Sequence, residues 1–167
     1  MKRIIILLCS LLMVACSNQH TFDLPLNEYP QTFHQEVSKL PKDIQEKMKV
    51  PTKFPFEVKF FRFSVSPEVK NGSVLFTSVE YEPVDAELSD KINMTITTYY
   101  DDELSTGETI ELSDGTEVVI KNNREELKEI EWSDQKNVRH TLAVMHKDID
   151  ISIEQLKNMA NSIKEVK

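Results

Sequence analysis

The chain has 167 residues with seven prolines, three glycines and two cysteines, and its 28 acidic and 20 basic side chains leave a net charge of −8. That length suits one domain with its own core, and the acidic balance argues against nucleic acid as a partner. Gly72, Gly107 and Gly115 are scattered. Phosphate-cradling loops need clustered glycines, so no nucleotide or other cofactor is expected.

Lys2 and Arg3 give the N-terminus a positive start, and residues 4–13 are apolar except for Ser10. A run of about ten residues fits the core of an export signal and is short of the roughly 20 needed to cross a membrane. It ends in Leu12-Met13-Val14-Ala15-Cys16 and is followed at once by polar Ser17-Asn18-Gln19-His20. This stretch resembles the lipobox of bacterial lipoproteins: an aliphatic residue, a small residue, Gly or Ala, then Cys. Met13 stands where leucine is usual. The resemblance implies that residues 1–15 are a signal peptide and that Cys16 carries the lipid, with fatty-acyl chains such as palmitate. Two or more such chains hold a protein stably at a membrane. The expected location is the cell membrane, lipid-anchored on its extracytoplasmic face. Cys9 would leave with the signal and Cys16 would be consumed by the anchor. No thiol would then remain for a disulfide, a thiolate metal site or a cysteine nucleophile.

Residues 16–28 are polar with scattered apolar positions and Pro25, and read as a lipidated tether of roughly 20 Å. Residues 29–167 then read as a single extracytoplasmic α+β domain. Phe33, Val37, Leu40, Ile44 and Met48 recur at helical spacing, and Pro41 divides the stretch into helices near 30–39 and 42–48. Pro51 and Pro55 force extended backbone.

From residue 57 to 147 the period is close to two. Val58 and Phe60 share one parity, and Phe61, Phe63 and Val65 the other, which predicts a bulge near Phe60-Phe61 or a strand buried on both faces. Asn71-Gly72 reads as a hairpin turn, and Asp114-Gly115 as a type I′ turn. Residues 92–100 alternate cleanly. Ile130 and Trp132 mark a short strand, and Val138, His140, Leu142, Val144 and His146 share one face of the last strand. The prediction is an antiparallel β-meander of about six or seven strands. Ser152 and Gln155 then open a covering helix through a capping box. The segment 51–56, the strands around Trp132 and the closing helix resemble an extracytoplasmic domain family of unknown function. That family occurs in lipoproteins and membrane-anchored regulators of Gram-positive spore formers. It implies an α+β fold and supplies no catalytic residues.

Asp101-Asp102-Glu103 offers hard oxygen ligands for calcium, yet lacks the alternation, glycine and distal Glu of an EF-hand, so a solvated turn is expected. His140 and His146 are about 20 Å apart along one strand and cannot share a metal. His20 and His34 stand alone, and no metal site is expected. Glu80, Glu82 and Asp85 could pair for glycosidic hydrolysis but read as surface charge, and no serine is placed by a motif beside a base. Phe54, Phe56, Phe60, Phe61 and Phe63 read mainly as core, with an open groove as the alternative. The expectation is a membrane-anchored, extracytoplasmic lipoprotein with no catalytic residues and a non-enzymatic binding or scaffolding role. Its partners would be the membrane, through the lipid on Cys16, and an envelope protein or peptide. A carrier of an apolar ligand and an envelope hydrolase are the alternatives.

Overall fold

The computed structural model describes residues 21–67, 74–100 and 104–166. Lys2 to Cys16, His20, the Asn71-Gly72 turn and Asp101-Asp102-Glu103 lie outside the described residues. The chain begins with β1 (Phe22–Asp23), a 3-10 turn (Leu26–Glu28), α1 (Gln31–Ser38), α2 (Lys42–Gln45), β2 (Lys49–Val50) and β3 (Lys53–Phe54). Pro30 and Pro41 stand immediately before the two helices, where a missing N–H costs nothing.

Seven strands then form one antiparallel sheet: β4 (Val58–Pro67), β5 (Val74–Pro83), β6 (Ile92–Tyr99), β7 (Glu108–Glu111), β8 (Glu117–Asn123), β9 (Leu127–Ser133) and β10 (Arg139–His146). The short α3 (Ala86–Ser89) joins β5 to β6, and α4 (Ile153–Asn161) and β11 (Lys164–Glu165) close the chain. The architecture is the α+β one expected, and the meander comes in two parts. The sheet order is β4-β5-β6-β10-β9-β8-β7, so the last long strand is inserted at the centre, between β6 and β9. No helix among the described residues is long and apolar enough to cross a membrane.

One face of the sheet carries the core. Val79 and Tyr81 of β5, Met94 and Ile96 of β6, Leu142 and Val144 of β10, and Ile130 and Trp132 of β9 are all buried. The irregularity in β4 falls between Phe60 and Arg62. The extra residue shifts the parity, so Phe63, opposite Val79, joins Phe60, opposite Tyr81, on the core side. Phe33 of α1 meets both rings, at 5.3 Å from Phe60 and 5.6 Å from Phe63. Helix α4 covers the β9 side with buried Leu156, Met159 and Ala160, and it opens through the expected Ser152–Gln155 capping box. Between the helices lie two small pairings, β1 with β3 and β2 with β11.

Two expectations are corrected. Residues 22–28 do not form a free tether. Phe22 pairs with Phe54, the Leu24 N–H donates to the Thr52 carbonyl (2.9 Å), and Leu24 and Leu26 pack on the core. Their apolar alternation, rather than Pro25, decides the local structure. The Asp114-Gly115 turn is also not type I′, which needs positive φ at both central residues. Only Gly115 is left-handed (φ +87°), and its N–H donates to the Leu112 carbonyl at 3.1 Å. The turn is therefore of type I followed by a left-handed glycine.

Candidate functional site

The central strand β10 organises a polar cluster on each face of the sheet. On the core face, His140 lies between Thr98 of β6 and Trp132 of β9 in the strand register and is fully buried. Its Nε2 is 3.3 Å from Asp134 Oδ2, and its Nδ1 is 3.1 Å from Thr98 Oγ1. A carboxylate only accepts, so Nε2–H donates to Asp134 and the Thr98 hydroxyl donates to Nδ1. The imidazole stacks on Trp132 with centroids 5.4 Å apart. Lys49 closes the chain with an ion pair to Asp134 at 2.6 Å.

Hydroxyl, imidazole and carboxylate in series resemble a hydrolytic relay. Thr98 is buried in the core, however, and no described cavity opens on it. The arrangement is suited to holding β6, β9 and β10 in register.

Burial pushes the His140 pKa down despite the adjacent carboxylate. Asp134 is desolvated too, but hydrogen bonds from His140 and Lys49 hold it well below the usual carboxylate range. The signs agree. An unfolded imidazole takes up a proton below about pH 6.5 that the folded one refuses, and an unfolded Asp does so below about pH 4. Stability is therefore expected to be flat between about pH 7 and pH 8 and to fall in two stages on acidification. The first stage has a slope of at most about 1.4 kcal/mol per pH unit. Urea unfolding from pH 8 to pH 3.5 measures this, and His140→Gln should remove the first stage. A first stage that persists in that variant would assign it to another group.

On the outer face, Glu131 sits opposite Thr141 and Val119, a position that reads as solvent-facing in the sequence. Its side chain is fully buried. Residues 104–107, on the way from β6 to the far edge strand β7, lie across this face, and the Ser105 N–H donates to Glu131 Oε1 at 2.8 Å. Gly107 permits the close approach. A Cβ there would come within 3.1 Å of Val119 Cγ1 and 3.3 Å of the Ile120 carbonyl. Glu131 Oε2 accepts from Lys121 Nζ (3.2 Å) and Arg139 Nη1 (3.1 Å), and the Arg139 guanidinium lies over the Tyr99 ring. Desolvation raises the Glu131 pKa, but the Ser105 N–H and the two cations outweigh it and bring it to about 2.

Two of the cavities among the described residues stand out by size. The larger, about 820 Å³, lies where α3, the β8–β9 hairpin and the end of β10 meet. Its lining mixes four carboxylates (Glu82, Asp90, Glu125, Glu126) with three cations (Lys91, Arg124, Lys147), so neither sign dominates it. His146 is also in its wall. The Nδ1–H of His146 donates to the Ile149 carbonyl (2.5 Å), and its Nε2 is buried without a hydrogen-bond partner among the described residues. The second cavity, about 540 Å³, lies between β3 and α4 over Phe54 and Met159. Lys53, Lys164, Gln155, Asn158 and Asn161, with the hydroxyl residues Thr21, Thr52 and Ser162, supply its polar lining, and no carboxylate does.

The other residues singled out in the sequence do not converge. Asp85 caps α3 through the Glu87 N–H (2.8 Å), and Glu82 accepts from Ser89 and pairs with Lys59. His34 reaches the Leu26 carbonyl (3.2 Å). Phe54 and Phe56 are buried, and Phe60 and Phe63 pack on the core; of these four rings only Phe54 touches a described cavity, the one between β3 and α4. Among the described residues no three His, Cys, Asp or Glu side chains are grouped to hold a metal ion. The Gln155 and Asn161 carboxamides were not legible as site residues, because the polar face of an amphipathic helix reads as solvated. Comparison with known proteins finds no matching family model, no matching curated protein and no matching solved structure.

Proposed function

We propose that this chain is a lipid-anchored protein of the extracytoplasmic face of the cell membrane, with a non-enzymatic role in binding or scaffolding at the envelope. The observation that carries the reading is the sequence from Lys2 to Cys16, with its basic start, short apolar run and cysteine after Ala15. The fold is compatible with it. Strand pairing begins at Phe22, only six positions beyond Cys16, so an anchored Cys16 holds the domain close to the bilayer rather than on a long leash. The burial of Phe54 and Phe56 and the core packing of Phe60 and Phe63 support binding at a polar surface over carriage of an apolar ligand. An envelope protein or peptide remains the proposed partner beside the membrane itself.

The test is Cys16→Ser in cells fed a labelled fatty acid. The parent chain is expected to carry label and to be cut before residue 16. The variant is expected to lose the label and accumulate as precursor. Continued cutting at the same bond in the variant would sink the anchor.

A further inference from the structure

The polar side chains lining the cavity between β3 and α4 include two lysines and three carboxamides and no carboxylate. The Ser152 N–H (2.8 Å) and the Ser152 hydroxyl (3.1 Å) both donate to Gln155 Oε1, and the Ser113 N–H and hydroxyl both donate to Asn161 Oδ1 at 2.8 Å. A backbone N–H can only donate, so the carboxamide oxygens are fixed toward the protein. The two NH₂ groups have no protein acceptor among the described residues. Ser162 Oγ is likewise occupied, accepting from the Thr52 and Lys53 N–H groups and donating to the Met159 carbonyl. The Lys53 and Lys164 ammonium groups have no carboxylate partner among the described residues. In a chain with 28 acidic and 20 basic side chains, a cavity without a carboxylate and with two lysines departs from the protein's own average.

Donors of this kind select an acceptor-rich anion. The volume of about 540 Å³ falls within the range of small-molecule sites. Phe54 and Met159 beneath the polar lining offer an apolar floor for the ligand's carbon skeleton. The cavity also has a definite address. Thr21 is part of its lining, and five fully extended residues span at most about 18 Å, so the cavity mouth lies within that reach of Cys16. The oxyanions at high density that close to a bilayer are phosphodiesters.

We propose that the β3–α4 cavity is a binding site for a phosphate-class oxyanion presented at the membrane surface. Gln155 Nε2, Asn161 Nδ2 and the Lys53 and Lys164 ammonium groups receive its oxygens. The oxyanion assignment stands on the cavity alone, while the membrane source rests on the anchoring of Cys16. The remaining acidic surface is repelled by an anionic bilayer, which turns this face toward it.

The test uses the processed chain, residues 16–167, carrying Cys16→Ser, which removes nothing of the described fold. Nuclear magnetic resonance titrations with inorganic phosphate and with glycerol 3-phosphate, against sodium chloride at matched ionic strength, are expected to give saturable shifts at the Gln155 and Asn161 side-chain amides. Gln155→Glu with Asn161→Asp keeps the oxygens that Ser152 and Ser113 need and replaces only the donors. It is expected to weaken binding by more than about tenfold. Lys53→Gln with Lys164→Gln should weaken it in the same direction. No shift with either phosphate, shifts spread over all surface lysines, or equal binding by the Glu/Asp variant would overturn the site.

Co-sedimentation with phosphatidylglycerol vesicles, and not with phosphatidylcholine vesicles, supports the headgroup as source. Binding of glycerol 3-phosphate without vesicle binding supports the oxyanion site and overturns its membrane presentation. Absence of fatty-acid label on the parent chain in cells overturns the anchor and leaves the titration result standing.

Discussion

Phe33→Ala is expected to cost about 4 kcal/mol of stability, the usual scale for deleting a buried phenylalanine side chain. Phe33 is 1% exposed and is the apolar pin of α1, with centroids at 5.0 Å from Tyr29, 5.3 Å from Phe60 and 5.6 Å from Phe63. The helix has only eight residues, too short to persist on propensity alone. Its place depends on what Phe33 and Val37 bury. The loss also reaches the sheet, because Phe60 and Phe63 flank the β4 irregularity and both pack on this ring. A domain of this size has about 5–15 kcal/mol in all, so the variant should lie near the limit of cooperative folding at 37 °C. Urea unfolding measures the loss, and amide exchange in α1 should accelerate before that in β6 or β10. Phe33→Leu fills most of the volume and should cost about 1–2 kcal/mol. A loss below about 1.5 kcal/mol for the alanine variant would mean that α1 is held by other contacts.

Glu131→Ala is expected to cost about 3 kcal/mol. Removing one member of a buried ionic cluster typically costs about 3–5 kcal/mol because the remaining charges stay desolvated. Here Lys121 and Arg139 retain some contact with water, with side chains 30% and 16% exposed, which places the loss at the lower end. The Ser105 N–H is left without its acceptor under the 104–107 crossing, so the crossing itself should loosen. Glu131→Gln keeps an oxygen for Ser105 but loses the charge and sets an NH₂ donor against Lys121 and Arg139, with an expected cost of about 2 kcal/mol, below that of the alanine variant. Urea unfolding at pH 7 separates the two variants, and amide exchange at Ser105 should rise strongly in the alanine variant only. A stabilised Glu131→Leu would show that desolvation outweighs the ion pairs and would reverse this assignment.

The features legible in the sequence are those set by neighbours along the chain. The capping box at Ser152 and Gln155, the helix break at Pro41 and the parity change at Phe60-Phe61 each depend on a few adjacent residues, and each is in place. Glu131 illustrates what is not legible. In Ile130-Glu131-Trp132 the alternation assigns the carboxylate to solvent, and only a segment 26 positions earlier in the chain covers it. His140 is similar, since its pairing with Asp134, Thr98 and Trp132 follows from register across three strands. Both cavities are likewise assembled from segments distant in sequence, so no local pattern announces them. Phe22 was hidden for another reason. A lone aromatic before a proline is ambiguous until its partner, Phe54, is known.

The insertion of β10 at the centre of the sheet has a consequence for the order of assembly. Any process that delivers this chain from its N-terminus supplies β4-β5-β6 and β7-β8-β9 as two separate ribbons, each with an open inner edge, before the strand that joins them exists. The joining strand ends at His146, and the helix that covers its neighbour comes later still. Until then both inner edges are unprotected templates for pairing with another chain. The sheet therefore closes late and in one step, and a chain cut short before Arg139 is left with two half-sheets and no means of joining them.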